Sequence, residues 1–165
     1  MGLRQDIIAE MKVKASIQPE QEIRTRVDFI KKQLLASGLR TLVLGISGGI
    51  DSLTCGKIAQ LAIDELNAQE NYSGQAFQFI GVRLPYGEQA DEQDAQASID
   101  FIAPSQSVSV NIKSAADALH QEVLQSLRAV GALTSSDDQQ DFAKGNVKAR
   151  ARMVAQYDIA GILGG

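Results

Sequence analysis

Apolar positions along this chain recur with two different periods. Ile23, Val27, Ile30 and Leu34 are spaced four, three and four apart, which puts them on one face of a helix that Gly38 ends. Thr41–Ile46 is a short apolar run suited to a buried strand, and 77–84 is a second, stopped by Pro85-Tyr86-Gly87. Between them, residues 52–68 place Leu53, Ile58, Leu61, Ala62 and Leu66 over a helix face wide enough to lie on a sheet. Val108, Val110 and Ile112 alternate through 107–112, as a third strand would. Helices are predicted at 3–14, from near Gln89 to Pro104, at 114–130 and at 141–162. Asp91, Glu92 and Asp94 suit the positive end of the second of these. The polar stretches 69–75 and 134–140 read as loops, the latter mobile.

Strands alternating with helices predict an α/β fold, a parallel sheet with helices on both faces, preceded by N-terminal helices. A chain of 165 residues suits one domain, with 1–38 as the N-terminal helices and 39–165 as the α/β part. Ligands of such sheets bind beyond the carboxyl ends of the strands.

The composition is 44% hydrophobic and 22% charged, with no apolar run long enough for a bilayer and a net charge of −4 without a basic block. Neither nucleic acid nor a membrane surface is therefore an expected partner. The first residues lack a signal-peptide core and carry Asp6 and Glu10, so the expected location is cytoplasmic. Cys55 has no partner for an intrachain disulfide and is expected to be buried for packing. His120 is expected on a helix surface or partly packed; with one Cys and one His, no metal cluster of those residues can form.

The most specific chemistry lies where the first strand runs out, in Gly45-Ile46-Ser47-Gly48-Gly49-Ile50-Asp51-Ser52. Glycines here let successive backbone N–H groups converge on an anion at the positive end of the next helix. Ser47 and Ser52 add hydroxyls. Asp51 would repel phosphate unless a divalent cation lay between them, so the loop implies Mg2+ as well as phosphate. A Walker loop is excluded, because Asp51 stands where its first Gly belongs and Ile58 follows Lys57. Glycines at 45, 48 and 49 also fail the dinucleotide fingerprint. The remaining pattern resembles the PP-loop, the pyrophosphatase-type ATP loop of enzymes that cleave ATP between its α and β phosphates.

Phe142, Asn146, Arg150 and Tyr157, at intervals of four, four and seven, share one face of the last helix. Rings that stack and a guanidinium that forks onto an acid suit a planar ring bearing carboxylate or phosphate. A helix edge with one surface salt bridge accounts for the same spacing equally well.

The PP-loop at 45–52, Val-Arg-Leu-Pro-Tyr-Gly-Glu-Gln-Ala-Asp-Glu-Gln-Asp at 82–94 and Gly-Asn-Val-Lys-Ala-Arg-Ala-Arg-Met at 145–153 resemble, in this order, bacterial ammonia-dependent NAD synthetases. The first motif is shared with other adenylating synthetases and thiolation enzymes; the other two are more specific. The resemblance implies an adenine nucleotide alpha hydrolase-like, Rossmann-like fold and a ligase. In the reaction that the resemblance implies, ATP adenylates the nicotinate carboxylate of deamido-NAD, releasing pyrophosphate, and ammonia displaces AMP to give NAD, with no covalent nucleophile needed on the protein. It assigns ATP to Gly45, Ile46, Ser47, Gly48, Gly49, Ile50, Asp51, Ser52, Arg83 and Gln89, magnesium to Asp51, and deamido-NAD to Phe142, Asn146, Arg150 and Tyr157. Ile50 replaces a Gln common in the family's loop. The resemblance further implies a homodimer and further ATP and metal groups beyond position 165, so the chain is expected to be an N-terminal fragment, inactive alone. A glutamine-using relative would carry an amidase domain with a nucleophilic Cys ahead of the loop; about forty residues precede it here and none is Cys, so the expected nitrogen source is free ammonia or ammonia from a separate protein. Two alternatives are another PP-loop amidase or thiolation enzyme and a nucleotide-binding or dimerisation fragment without turnover.

Overall fold

A computed structural model describes residues 2–12, 14–69, 75–88 and 92–165. Its helices are α1 (Leu3–Glu10), α2 (Pro19–Ser37), α3 (Ile50–Asn67), α4 (Glu92–Ile102), α5 (Lys113–Ala129) and α6 (Asp137–Leu163); its strands are β1 (Thr41–Gly45), β2 (Gln78–Arg83) and β3 (Gln106–Ser109). The strands form a parallel sheet in the order β1-β2-β3, with Val43 opposite Ile80 and Val82 opposite Val108.

Alternation along the strands gives each face its own core. Phe77 and Phe79, with Ile46 and the half-buried Leu42 and Leu44, join Ala59, Ile63 and Leu66 of α3 and Ile99 and Ile102 of α4. On the opposite face Ile80, Val82 and Leu84 meet Val43, Ile112 and the Ala151, Ala155 and Ile159 stripe of α6. Helices thus cover both faces, as the alternation of elements predicts. Burying a side chain the size of Phe79 contributes on the order of 1.5–3 kcal/mol. α2 lies over α3 through Val27 against Ile58 and Ala62. Arg24 and Lys31 clasp Glu65 between these helices: Arg24 Nη1 donates to Oε1 at 2.6 Å, and Lys31 Nζ to Oε2 at 2.9 Å.

Six expectations need correction. β1 was expected to be buried throughout, yet only Thr41 and the following Ile46 are, because among the described residues β1 pairs only with β2. Its other edge borders an open groove of about 770 Å³ lined by Leu34 and Leu39, by Thr41–Val43, and by Met153 and Tyr157 of α6. The third strand stops at Ser109, leaving Val108 and Val110 exposed at the other edge; Ile112 alone of the alternating set is buried. Residues 137–140 begin α6, capped by Ser136, instead of forming a mobile loop, since the Ser136 hydroxyl accepts from the Gln139 N–H while Gln139 Oε1 accepts from the Ser136 N–H. That reciprocal cap needs polar residues, which is why the segment reads as a loop. Cys55 is exposed, because it is the neighbouring Gly56 that turns inward against Ile46 and Ile102. His120 is 7% exposed, falling four residues from each of Ala116 and Leu124 on the buried face of α5. α1 also ends at Glu10, short of residue 14, and buries none of its side chains.

Candidate functional site

Beyond Gly45 the chain leaves the sheet through Ile46, whose side chain is buried in the core and whose N–H donates to Val82 O at 2.8 Å. Ser47 and Gly48 follow, and Gly49 caps α3. Gly48 has φ +88°, and a Cβ there would stand 3.0 Å from the Ala95 backbone nitrogen in the first turn of α4. Position 48 therefore needs glycine twice, for its left-handed backbone and for its closeness to α4. The positive ends of α3 and α4 converge on the loop. N–H groups of a helix's first turn have no carbonyl partner within the helix, so those of Ile50, Asp51 and Ser52 offer an anion three donors.

The serines hold this geometry. Ser52 Oγ donates to Gly49 O at 3.0 Å and accepts from Ser47 N at 3.2 Å, while Ser47 Oγ accepts from Gly49 N at 3.3 Å. The two hydroxyls stand 3.1 Å apart. The side chains of Ile50 and Asp51 are exposed. Lys57 turns away from the loop, its ammonium donating to Phe101 O at 3.1 Å and Ile102 O at 3.2 Å, where it satisfies the carboxyl end of α4. That placement agrees with the exclusion of a Walker loop.

Among the described residues no group of three or more His, Cys, Asp or Glu side chains is placed to hold a metal. Asp51 offers a single exposed carboxylate in the first turn of α3. One carboxylate beside the first-turn N–H groups of α3 is a donor set that fits Mg2+, which takes one or two carboxylates and completes its shell with other oxygens and water.

Arg83 ends β2, and its Nη1 donates to Gln96 Oε1 of α4 at 3.4 Å. Gln89 lies outside the described residues. Phe142, Asn146, Arg150 and Tyr157 do share a face of α6, the outer one, with Phe142 77% and Tyr157 74% exposed. Arg150 Nη1 donates to Asn146 Oδ1 at 3.0 Å, so the amide holds the guanidinium in place. Among the described residues no hydrogen bond joins this stripe to the Ser47–Ser52 loop.

Two features were missed from sequence. Gln156 Oε1 accepts from the Gly45 N–H at 2.6 Å, and Arg152 Nε donates to Leu84 O at 2.9 Å, so α6 is keyed to the carboxyl ends of β1 and β2. Side chains that bond backbone across long sequence separations leave no local pattern. The other is a polar cluster around Tyr86, whose hydroxyl bonds Asp117. Lys113 Nζ lies 2.6 Å and Lys144 Nζ 2.7 Å from that carboxylate, and Lys148 Nζ sits 4.3 Å from the ring centre. Lys113 and then Lys144 hold Asp117 well below the usual carboxylate range, and Asp117 raises both lysines. The four-residue spacings Lys113 to Asp117 and Lys144 to Lys148 were the available signal.

With this geometry in place, residues 22–164 match the family described as NAD synthase. The chain is 54% identical to the NH(3)-dependent NAD(+) synthetase of Aliivibrio salmonicida and 56% to that of Vibrio campbellii. Each alignment covers 163 residues, 99% of this chain and 58% of the relative. The crystal structure of an NAD+ synthetase from Burkholderia pseudomallei is similar with a TM-score of 0.84 at 42% identity, over 98% of this chain and 66% of that one. The chain spans about 58% of the length of the curated relatives it matches.

Proposed function

This chain belongs to the NAD synthase family, and from that premise we propose that it carries the ATP and deamido-NAD sites of an ammonia-dependent NAD synthetase. The observation that supports this most is the loop at 45–52, held in shape by its own serines and lying where the positive ends of α3 and α4 meet. In the proposed reaction an oxygen of the nicotinate carboxylate attacks the α phosphorus of ATP, and the bond to pyrophosphate breaks. Ammonia then attacks the acyl carbon, AMP leaves with the bonding electron pair, and loss of a proton gives the amide.

A carboxylate resists ammonia until one oxygen is made a good leaving group, which is what adenylation provides. In this reading the first-turn N–H groups of Ile50, Asp51 and Ser52 take up charge developing on pyrophosphate, in a cradle braced by the loop's own serines. Asp51 would hold Mg2+, whose charge would offset that of the phosphates. Arg83 and Gln89 face ATP. Phe142 and Tyr157 stack on the dinucleotide's rings, and Arg150, held by Asn146, forks onto its acid or phosphate groups. A second copy of the chain, as a homodimer, covers the exposed outer face of α6 and encloses that ligand. The cytoplasm is the proposed location; none of the described helices is long and apolar enough to cross a membrane.

Titrating the chain with Mg-ATP, deamido-NAD and NAD tests the reading. Binding of ATP, and of deamido-NAD at least tenfold more tightly than NAD, is expected, because only the former offers Arg150 a nicotinate carboxylate. Failure to bind ATP, or equal affinity for the two dinucleotides, contradicts it.

A further inference from the structure

Gly45 is not in a left-handed conformation, so its glycine needs another explanation. A Cβ at this position would meet Gln156 Oε1 at 3.1 Å and its Cδ and Nε2 at 3.2 Å. The missing side chain is what lets the Gln156 amide lie against the strand. There its oxygen takes the 2.6 Å bond from the Gly45 N–H, on the edge of β1 that no strand covers among the described residues. Its nitrogen donates to Arg152 O at 3.2 Å one turn back, which fixes the rotamer from the helix side. Arg152 in turn donates to Leu84 O, one residue past the end of β2. Gly45 and Gln156, 111 residues apart, thus explain one another.

The two ends of this contact belong to different parts of the proposed site. Gly45 is the last strand residue before the phosphate loop, and Gln156 adjoins Tyr157 and lies six residues beyond Arg150 on α6. We propose that Gln156 is a positioning residue, touching neither ligand, that transmits occupancy of the phosphate loop to the dinucleotide face of α6 through the Gly45 N–H. Resting on the function proposed above, it goes beyond that function by assigning the coupling of the two ligands to one side chain. Movement of the loop on binding the triphosphate shifts the Gly45 amide, and Gln156 carries that shift into α6 and so into Arg150. Coupling between sites requires such a shared element with differential contacts in the two states.

The test measures deamido-NAD affinity for the chain with and without a saturating non-hydrolysable Mg-ATP analogue. Wild type, Gln156→Asn, Gln156→Ala and Gln156→Glu are compared, with Gly45 amide exchange followed by NMR. Asn cannot reach Gly45, whereas Glu keeps the acceptor oxygen. A coupling of at least fivefold is expected in wild type, the lower end of common allosteric effects. Gln156→Asn and Gln156→Ala bring it to within twofold of unity while each ligand alone binds within about threefold of wild type, and the Gly45 amide exchanges faster. Gln156→Glu restores the coupling. If Ala unfolds the chain, the milder Asn variant decides. Wild type that binds both ligands without coupling, or an Asn variant that keeps it, overturns the assignment and leaves the proposed function standing. Wild type that binds neither ligand overturns both.

Discussion

Gly48 and Ala95 are so close that a Cβ on the first would stand 3.0 Å from the backbone nitrogen of the second. This contact wedges the Ser47–Ser52 loop against the first turn of α4, and Gly48 also holds φ +88°. Gly48→Ala is therefore expected to cost about 1–3 kcal/mol of stability, combining left-handed strain with an immovable backbone neighbour. Gly49→Ala, at φ −78° with only Ser47 Oγ near at 3.4 Å, should stay within about 0.5 kcal/mol of wild type. Urea unfolding of both variants checks this; equal losses would mean that the wedge does not exist.

Asp51→Asn should leave the fold intact, since the carboxylate is exposed and gives up at most about 1 kcal/mol of helix-dipole interaction. It should remove the Mg2+-dependent part of ATP affinity, by a hundredfold or about 3 kcal/mol if the carboxylate binds the ion directly. ATP titrations with and without Mg2+ measure the difference. A variant whose affinity still rises with Mg2+ as wild type's does takes Asp51 out of the metal role.

Arg150→Ala should weaken deamido-NAD by roughly tenfold to a hundredfold, the worth of a charge-assisted pair of about 1.5–3 kcal/mol, and spare ATP. Among the described residues Arg150 bonds only Asn146 of its own helix, at its side-chain and backbone oxygens, so stability should not change. Parallel titrations of both ligands decide it, and an equal loss for each would make the stripe structural.

Glu65 is pulled from its ordinary 4.5 down to about 2, first by Arg24 and then by Lys31. Because the folded state holds the lower value, the stabilisation is complete above about pH 4.5 and fades as pH falls toward 2. Glu65 is partly exposed, so solvent screening limits the pair to about 1 kcal/mol or less. Glu65→Gln should be less stable than wild type at pH 7 by up to that amount, and the gap should close near pH 2. A gap independent of pH would show that the α2–α3 clasp does not depend on the carboxylate's charge.

Much of this was legible in the sequence, for reasons that differ by residue. The order of strands and helices follows from periods of two and of three to four, and the loop from glycines and serines that have no other use at a strand end. Less legible was anything set by neighbours. The incomplete burial of Leu42–Gly45 depends on which strands flank β1, and a run such as Leu-Val-Leu does not record that. Cys55 and His120 each fell on the face opposite to expectation, because one helical step of 100° separates Cys55 from the inward Gly56 and His120 shares the 116-120-124 stripe. The bond from Gly45 to Gln156 joins a backbone group to a side chain 111 residues away, and no local pattern encodes it.

The central claim is that Ser47–Ser52 cradles the phosphates of ATP, and amide chemical shifts of the isotope-labelled chain test it most directly. Mg-ATP and Mg-pyrophosphate should both move the amides of Gly48, Gly49, Ile50, Asp51 and Ser52 strongly, while AMP, lacking the β and γ phosphates, should leave them nearly still. Shifts confined to the groove beside Leu42, Val43 and Met153, or amides at 48–52 that ignore both phosphate ligands, would contradict the account.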